Sequence, residues 1–513
     1  MIISIAKSFS SRWQILGALV VLLFISSFTV SASTLRVGAP ARTAGLGNPY
    51  VGLISQITQT RSAIFDGLTR ISSTGHLEPE LALSWEVITP NTWIFNLRPN
   101  VYFSNGEPFG AESVITSIGF LQNTTGQMYG AAVEMRGVKQ VRAVDNLTVE
   151  ITTLRPDAIL PKRLSMVMMV PPHAWTEMGL TEFSQAPVGT GSFLLKDWGA
   201  NRGRTILEAN SNSWRAPVDV DRLEVVFPLR DSVVRRQALE AGEIDVTPQL
   251  TLDDIAVLSA EGFTTFAAAV PEVRALALRN VDNEGSPLRD VRVRQALNYG
   301  VNKQEIADIF YLSVARPVGQ GAIPGTFGYN PDITPYPYDP GRAKALLAEA
   351  GYENGLTFRA EVEQGQAQVI YVKASQDLAR IGVDLQVRTL VAQEWLRKYF
   401  SSDWGNADIL SVVWNSGAYW DTIRALESYS CAKPSPFFCE PSLMPLIEKS
   451  HAQFDPLMRE RTLQDIMRYM HDLAPALFLI SHTHSFAAAP HIKDVEQTQR
   501  GFVFEKIVVE REN

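Results

Sequence analysis

Apolar runs and apolar–polar alternation predict several β-strands along the chain. Residues 92–98 alternate, with their apolar side chains on one face, and residues 383–389 do the same, as expected for strands with one buried face. Residues 408–414 form a nearly unbroken apolar run. Such a run is typical of a central strand that is buried on both faces.

Helical periodicity occurs between these strands. Residues 340–350 carry apolar side chains at helical spacing, Asp339 can cap this helix, and Gly351 ends it. A second helix is predicted over residues 291–299. Helices that alternate with strands indicate α/β lobes with mixed sheets. The chain has 513 residues, too many for one core, and no Gly/Ser-rich linker divides it. We therefore expect lobes joined by crossing strands and a hinge that closes on a ligand.

Charge and composition exclude several classes of protein. The sequence contains 46 Lys and Arg against 54 Asp and Glu, a net charge of −8. A nucleic-acid partner is disfavoured because no basic excess exists to neutralise phosphates. Apolar residues make up 46% and are spread along the chain, which excludes both a polytopic membrane protein and a disordered one.

The N-terminus predicts export. Lys7 and Arg12 precede an apolar run over 15–30, and small residues follow at 31–33. This arrangement is that of a secretory signal peptide, whereas a membrane-spanning helix needs roughly 20 apolar residues. We therefore interpret residues 1–33 as a cleaved signal. Cleavage leaves 44 basic and 54 acidic residues, a net charge of −10, and no cysteine near the cleavage point for a lipid anchor.

Cys431 and Cys439 are the two cysteines of the sequence, and a proline-rich segment separates them. In an oxidising compartment such a pair is expected to form a disulfide rather than two free thiols. The catalytic Cys-x-x-Cys spacing is absent. We therefore predict a structural disulfide.

No motif for catalysis or cofactor binding is found. The sequence lacks a Gly-x-Ser-x-Gly elbow, a phosphate-binding loop and a dinucleotide fingerprint. His482 and His484 form the one tight histidine pair, and on a strand both would face one side and could ligate a metal. The sequence shows no nearby carboxylate or third histidine to complete that site, so we interpret the pair as a strand end near the surface. We expect no catalytic residue, no cofactor and no metal site.

Aromatic and small polar residues cluster directly after the buried strand. They are Trp414, Asn415, Ser416, Gly417, Tyr419 and Trp420. A polar loop at the C-terminal end of a strand is where α/β folds bind ligands, and aromatic faces hold sugars, peptides and other amphipathic solutes. The alternative, that the tryptophans belong to the core, stays open.

A series of segments follows an order that is specific to one protein family. The segments are 64–70 (IFDGLTR), 77–87 (LEPELALSWEV), 92–98, 103–114 (FSNGEPFGAESV), 187–191, 238–246, 288–306, 323–332, 339–351 and 471–480. In these segments, which span nearly all of the mature chain, the sequence resembles the extracytoplasmic solute-binding protein family 5. Its members are the periplasmic peptide- and nickel-type receptors of ABC importers.

The resemblance implies a fold and a division of the chain. The fold is α/β, a class II-like periplasmic-binding-protein flytrap of two hinged lobes with an extra subdomain in the N-terminal lobe. The implied parts are 34–66, 187–270 and 485–513 for the core of lobe I, 67–186 for its extra subdomain, and 271–484 for lobe II. Members of this family bind solutes and are not enzymes.

The family's anchors for free peptide termini do not match this sequence. In dipeptide- and oligopeptide-binding relatives an aspartate after the strand's Trp holds the ligand's α-amino group, and the matching position here is Gly417. The arginine that binds the ligand carboxylate in dipeptide receptors is matched by Glu361 or its neighbours. A peptide is the family's most frequent solute, and oligosaccharides, opines, modified peptides and metal chelates stay open as alternatives.

Two groups of residues are expected to contact the solute. They are Thr43 and Gly45 in the first loop of the mature chain, and Trp414, Asn415, Ser416, Gly417, Tyr419, Trp420 and Asp421 after the buried strand. We expect a periplasmic monomer that closes on its solute and docks onto two membrane permease subunits powered by a cytoplasmic ATPase pair. An unrecognised secreted hydrolase and a chemoreceptor partner are the alternative functions.

Overall fold

The computed structural model describes residues 33–51, 59–200, 202–281, 284–365, 367–401, 403–433 and 436–510. The predicted signal peptide, residues 1–33, lies outside the described residues apart from Ser33. The strands are β1 (Thr34–Gly38), β2 (Thr69–Ile71), β3 (Leu77–Pro79), β4 (Ala82–Thr89), β5 (Thr92–Leu97), β6 (Val138–Asp145), β7 (Thr148–Thr153), β8 (Phe193–Asp197), β9 (Arg204–Ala209), β10 (Arg222–Val226), β11 (Val246–Pro248), β12 (Thr264–Leu278), β13 (Leu356–Glu363), β14 (Val383–Leu390), β15 (Ile409–Asn415), β16 (Ala476–Ala488), β17 (Ile492–Lys493), β18 (Gln497–Thr498), β19 (Gly501–Phe502) and β20 (Val508–Val509).

Helices lie between most of these strands. They are α1 (Gln59–Ile64), α2 (Ala111–Gln122), α3 (Ala132–Met135), α4 (Leu160–Arg163), α5 (Pro172–Gln185), α6 (Ser232–Glu240), α7 (Leu252–Ala260), α8 (Val291–Tyr299), α9 (Lys303–Tyr311), α10 (Pro340–Glu349), α11 (Gln368–Ala379), α12 (Ala392–Ser401), α13 (Ile423–Leu426), α14 (Met444–Ala452) and α15 (Pro456–Leu473). The predicted alternation of helices and strands is confirmed.

Two long antiparallel strands at the centre of one large sheet connect its two halves. Among the described residues this sheet has ten strands, in the order β14–β13–β15–β12–β16–β11–β1–β10–β9–β8. The first part of β12 pairs only with β16, and from Glu272 onward β12 also pairs with β15 on its other side. The register of β12 against β16 shifts between Val270 and Val273, where a bulge interrupts the pairing. Because β12 and β16 run through both halves, they are the crossing strands that the sequence predicts.

A smaller antiparallel sheet, in the order β4–β5–β7–β6, lies between β3 and β8 along the chain. Its strand β5 buries Trp93, Phe95 and Leu97 and leaves the intervening side chains more exposed. The alternation that predicts this strand is therefore also its pattern of burial. This sheet belongs to segment 67–186, the extra subdomain of the sequence-based division.

Within the described ranges, buried apolar side chains form three clusters. The first takes its residues from 35–258 and 486–507. The second and third take theirs from 273–480, with the exception of Ile159 and Met166, which belong to the second cluster. Segment 67–186 therefore packs against the core formed by residues 273–478 through the side chains of Ile159 and Met166. The bounds of the lobes themselves stay a prediction.

Local sequence signals set individual elements as expected. Asp339 caps α10 by accepting a hydrogen bond of 2.8 Å from the backbone N–H of Arg342, and Gly351 follows the helix with a φ of +85°. Strand β15 is buried along most of its length and lies between β13 and β12. The apolar run at 408–414 is thus a central strand, as predicted.

Cys431 and Cys439 form the predicted disulfide. Cys439 also exchanges two backbone–side-chain hydrogen bonds with Asn280, each of 3.1 Å, and Phe437 and Phe438 are buried inside the bridged loop. Replacing both cysteines with serine is expected to lower the free energy of unfolding by about 2–3 kcal/mol, the chain entropy of a loop of this length. Urea unfolding of the double variant and of the reduced wild type measures this loss. Equal stability of oxidised and reduced protein would contradict it.

Candidate functional site

The loop that follows β15 is fixed by backbone hydrogen bonds at both ends. The N–H of Ser416 donates to the carbonyl of Pro271 in β12 at 3.0 Å, and the N–H of Asp421 donates back to the carbonyl of Ser416 at 3.2 Å. Asn415 is half-buried and its side-chain oxygen accepts from the N–H of Ala418 at 3.4 Å. The predicted binding residues 415–421 therefore form one compact turn beside the central strands.

Trp414 and Tyr419 are core residues in this structure. Trp414 is 1% exposed, with ring centroids 4.0 Å from Tyr429 and 5.2 Å from Phe478. A Cβ on Gly321 would overlap the Trp414 ring, so glycine is required there. Tyr419 is also fully buried. Trp414 therefore lies in the core, which is the alternative that the sequence left open. Contact of Trp414 or Tyr419 with solute stays a prediction.

Trp420 lies against the hairpin of β2 and β3. The residue is half-buried and has a φ of +51°. A Cβ on Gly75, in the turn of that hairpin, would lie 2.5 Å from the Trp420 ring. The carbonyl of Trp420 accepts from the N–H of Phe327 at 3.0 Å. Trp420 thus projects from the loop after β15 onto segment 67–186, and it combines an aromatic face with partial access to solvent.

Asp421 is fully buried and its carboxylate is matched by two cations. Arg459 donates two hydrogen bonds to it, of 2.7 and 3.0 Å, and Lys162 donates one of 3.0 Å. Burial raises the pKa of Asp421, but the charges of Lys162 and Arg459 outweigh burial and hold it well below its usual range. Asp421 therefore binds Arg459 within residues 271–484 and Lys162 in segment 67–186. Its predicted contact with solute stays a prediction.

A second set of ion pairs also connects segment 67–186 to residues 271–484. Arg163 donates to Glu427 at 2.6 Å, to Asp157 at 2.9 Å and to Glu134 at 3.4 Å. Nearby, the N–H of Ala158 donates to the carbonyl of His451 at 2.8 Å. Arg163 is largely buried, so these pairs are shielded from solvent. Residues 155–166 therefore join segment 67–186 to the helices that follow β15.

Thr43 and Gly45 lie in the first loop, after β1. The hydroxyl of Thr43 is hydrogen-bonded to the hydroxyl of Thr60 in α1 and is nearly inaccessible. Gly45 is exposed with a φ of +68°, and its carbonyl accepts from the N–H of Asn48 at 3.0 Å. Among the described residues, these bonds hold Thr43 against α1 and Gly45 within the first loop. Contact of either residue with solute stays a prediction.

A carboxylate lies next to Gly417. A Cβ on Gly417 would lie 3.2 Å from Oε1 of Glu272 and 2.5 Å from Nε2 of Gln499. Glu272 is in β12, directly opposite Asn415 of β15 in the register. It is 7% exposed. Gly417, which the resemblance matches to the aspartate of peptide-binding receptors, therefore has a glutamate side chain from the neighbouring strand beside it.

Glu272 also lies beside the histidine pair. Donor atoms of Glu272, His482 and His484 all lie within 4.8 Å of one another, and His482 Nε2 is 3.9 Å from a Glu272 oxygen. Burial lowers the pKa of both histidines, and Arg274 lowers that of His482 further. Both imidazoles are therefore neutral near pH 7, the form that binds metals. The premise that no carboxylate is near the pair is wrong: the bulge in β12 places Glu272 there.

Comparison with known proteins identifies the family. The sequence pattern of bacterial extracellular solute-binding proteins, family 5 (Middle), matches residues 76–436. The chain belongs to this family. It is 28% identical over 352 residues to the glutathione-binding protein GsiB of Pectobacterium atrosepticum, covering 67% of each chain. It is 28% identical over 461 residues to the dipeptide-binding protein of Escherichia coli, covering 82% of this chain and 83% of the other.

The fold of this family-5 protein is also that of solved relatives. The ABC transporter-associated periplasmic binding protein DppA from Helicobacter pylori, in complex with the peptide STSA, superposes with a TM-score of 0.80 at 21% identity, covering 93% of this chain and 98% of that one. The predicted fold class and the predicted role in solute binding are confirmed. Family and fold are those of binding proteins. None of the described helices is long and apolar enough to cross a membrane.

The first two segments that carry the family resemblance serve structural roles. Asp66 and Glu80 are buried, and both accept hydrogen bonds from Arg215, at 2.6 and 3.1 Å. Arg500 donates two further bonds to Glu80, of 2.6 and 2.8 Å. Burial raises the pKa of Glu80 despite the charge of Arg500. This buried charge cluster joins segment 64–80 to the C-terminal part of the chain. These two segments of the family signature therefore stabilise the fold.

Sequence reasoning missed Glu272, Lys162 and Arg163. Glu272 is the one acidic residue within 264–278, a stretch of apolar and small residues apart from Arg274, and a charged residue in a buried strand is a usable signal. Lys162 and Arg163 offer no such signal, because they resemble any basic pair at the end of a short helix.

Proposed function

We propose that this family-5 protein is a periplasmic receptor that captures peptides between two lobes and delivers them to an ABC permease. The observation that carries the proposal is the placement of the loop after β15. This loop lies beside the crossing strands, and Trp420 contacts the turn at Gly75 in segment 67–186. A solute bound there would contact both sides of the hinge, so its binding would favour the closed state.

The peptide class is supported by the relatives and by the charge of the site. The relatives at 28% identity bind glutathione and dipeptides. Glu272 places a carboxylate beside Gly417, the position of the aspartate that holds a peptide's α-amino group in such relatives. The buried carboxylate favours a solute that carries positive charge. An oligosaccharide has no charge that would compensate Glu272.

We also propose a role for each part of the chain in export and solute capture. Residues 1–33 serve as a cleaved signal that directs the protein to the periplasm without a lipid anchor. Residues 34–66, 187–270 and 485–513 form lobe I with its extra subdomain 67–186, and residues 271–484 form lobe II. The receptor works as a monomer and catalyses no reaction. Among the candidate contacts, Asn415, Gly417 and Trp420 face the solute, with Thr43 and Gly45 opposite. The fully buried Trp414, Ser416, Tyr419 and Asp421 support them.

Ligand release and stabilisation test this function. Mature protein from residue 34 is unfolded in guanidinium, refolded without ligand, and heated in the presence of peptide, oligosaccharide and opine mixtures. A peptide at 100-fold its Kd is expected to stabilise the protein by about 2.7 kcal/mol. Mass spectrometry of the mixture identifies the bound component and shows whether it is returned intact. Stabilisation by sugars or opines alone, or conversion of a peptide into products, would overturn the proposal.

Replacing Trp420 with alanine tests whether the loop after β15 binds the peptide. Loss of its aromatic face is expected to weaken peptide binding at least about tenfold, as for an aromatic anchor residue. Trp85→Ala is the control, because Trp85 lies on β4 in the smaller sheet and is half-buried there. Isothermal titration of both variants compares their Kd values. Equal weakening in the two variants would show that the loop after β15 is not the binding loop.

A further inference from the structure

The bulge in β12 brings three metal-binding side chains together at the base of the proposed cleft. Glu272 lies within the bulge, and His482 and His484 project from the facing part of β16. Because alternate residues of a strand share a face, the two imidazoles lie on the same side. Their rings are 5.4 Å apart and nearly perpendicular. Within the described residues Nδ1 of His482 is buried and has no hydrogen-bond partner.

The distances are close to those of a coordinated ion. Donors at about 2.1 Å from one ion can be at most about 4.2 Å apart, and the donor atoms here lie within 4.8 Å of one another. An inward movement of roughly half an ångström therefore brings the three side chains into coordination distance. Two imidazoles and one carboxylate are a ligand set of divalent transition metals, and three protein ligands leave coordination positions open.

The charges around the three side chains suit a cation. Glu272 is buried, and among the described residues its one ion-pair distance within 4 Å is the 3.9 Å to His482. A neighbouring cation, Arg274, interacts with Glu363 and Tyr371. A carboxylate this deeply buried needs a positive partner. An ammonium group alone would satisfy the carboxylate but would use neither of the two imidazoles as a ligand.

We infer that Glu272, His482 and His484 hold one divalent transition-metal ion and that donor atoms of the bound solute complete its coordination. The inference rests on the proposed function, because it assigns the solute to peptides that chelate a metal through their amino and amide groups. Gly417 lies beside this group, and a Cβ there would be 3.2 Å from the Glu272 carboxylate and 2.5 Å from Nε2 of Gln499, so a side chain at this position would crowd both. The metal would then take the place of a direct contact between the peptide's amino group and a protein carboxylate.

Metal binding is measured first with the ion alone. Mature protein without an affinity tag is stripped with EDTA, dialysed, and titrated with nickel chloride. We expect one Ni²⁺ ion per chain. Substitution with Cu²⁺ should give an electron paramagnetic resonance spectrum with coupling to two imidazole nitrogens. Absence of stoichiometric binding by the stripped wild type would overturn the inference.

Three variants locate the ion. Glu272→Gln and His484→Ala are expected to weaken Ni²⁺ binding at least about tenfold, since even loss of a group that only orients a ligand costs 10–100-fold. His484→Ala should also remove one nitrogen coupling from the Cu²⁺ spectrum, which misfolding would not do. His491→Ala is the control, because His491 is 43% exposed next to Asp245. Equal affinity in His484→Ala and the wild type would place the ion elsewhere and contradict the inference.

Peptide titrations separate this inference from the proposed function. We expect peptides with a free amino terminus to bind at least tenfold more tightly to the nickel-loaded protein than to protein kept in EDTA. Equal binding in EDTA would reject the metal site and leave the peptide receptor intact. Nickel binding without any peptide binding would instead reject the peptide assignment.

Discussion

Replacing Asp421 with asparagine is expected to lower the free energy of unfolding by about 3–5 kcal/mol. Asparagine keeps the shape of the side chain but removes the charge. The amide oxygen can still accept one bond from Arg459, but an NH2 group replaces Oδ2, the oxygen shared by Arg459 and Lys162. The guanidinium of Arg459 is 6% exposed, so a buried cation is left without its anionic partner. Lys162 loses its bond as well. Urea unfolding monitored by circular dichroism measures the loss.

Two companion variants sharpen this test. Lys162→Met removes one ion pair of Asp421, the one that joins segment 67–186 to residues 271–484, and should cost about 1–2 kcal/mol. Asp332→Asn is the control, because Asp332 is exposed, and it should change stability by less than about 0.5 kcal/mol. Similar losses in Asp421→Asn and Asp332→Asn would show that the buried pair contributes nothing.

The effect of Asp421→Asn should depend on pH. Lys162 and Arg459 outweigh the effect of burial and hold the pKa of Asp421 below its unfolded value, so below about pH 4 the unfolded chain binds the proton first. The stabilisation by this carboxylate is therefore complete above about pH 4 and is lost as the pH falls further. The difference between wild type and variant should be constant from pH 7 to 5 and shrink at pH 3.

The second large effect is expected at Asp66. Asp66→Asn should lower the free energy of unfolding by about 3 kcal/mol, the lower end for a broken buried ion pair. The carboxylate accepts from Thr190 at 2.8 Å, from Trp214 at 3.1 Å and twice from Arg215. Glu80 and Glu505 also form ion pairs with Arg215, so the guanidinium keeps two anionic partners and the loss stays moderate. Guanidinium unfolding curves give the value.

Asp66 and Asp421 should differ in their effect on binding. Among the described residues the hydrogen-bond partners of the Asp66 carboxylate are Thr190, Trp214 and Arg215, none of them in the loop after β15, so Asp66→Asn should leave the Kd for peptide unchanged at temperatures where the variant is folded. Asp421 lies in that loop, and its loss should weaken binding as well as folding. A Kd that changes equally in both variants would mean that peptide binding follows overall stability rather than the geometry of the loop.

Elements with local signals could be predicted from the sequence. Helix α10 is one example, because Asp339 and Gly351 act on their immediate neighbours. Strand β5 is another, because the apolar side chains that alternate along it are the ones that are buried. The disulfide could also be predicted, since Cys431 has one possible partner within the chain. The family followed from ordered segments, of which Asp66 and Glu80 prove to be parts of a buried charge cluster.

The sequence by itself determined the fold class, the order of the elements and the family, because these follow from periodicity, capping and ordered motifs that act over a few residues. Only the tertiary structure decided what the site residues contact. It joined Lys162 to Asp421 across 259 positions, placed Trp414 in the core, and brought Glu272 to Gly417 and the histidine pair through a bulge between crossing strands. The reason is physical: burial and ion pairing depend on which distant segments share a low-dielectric interior, and no local pattern encodes that proximity.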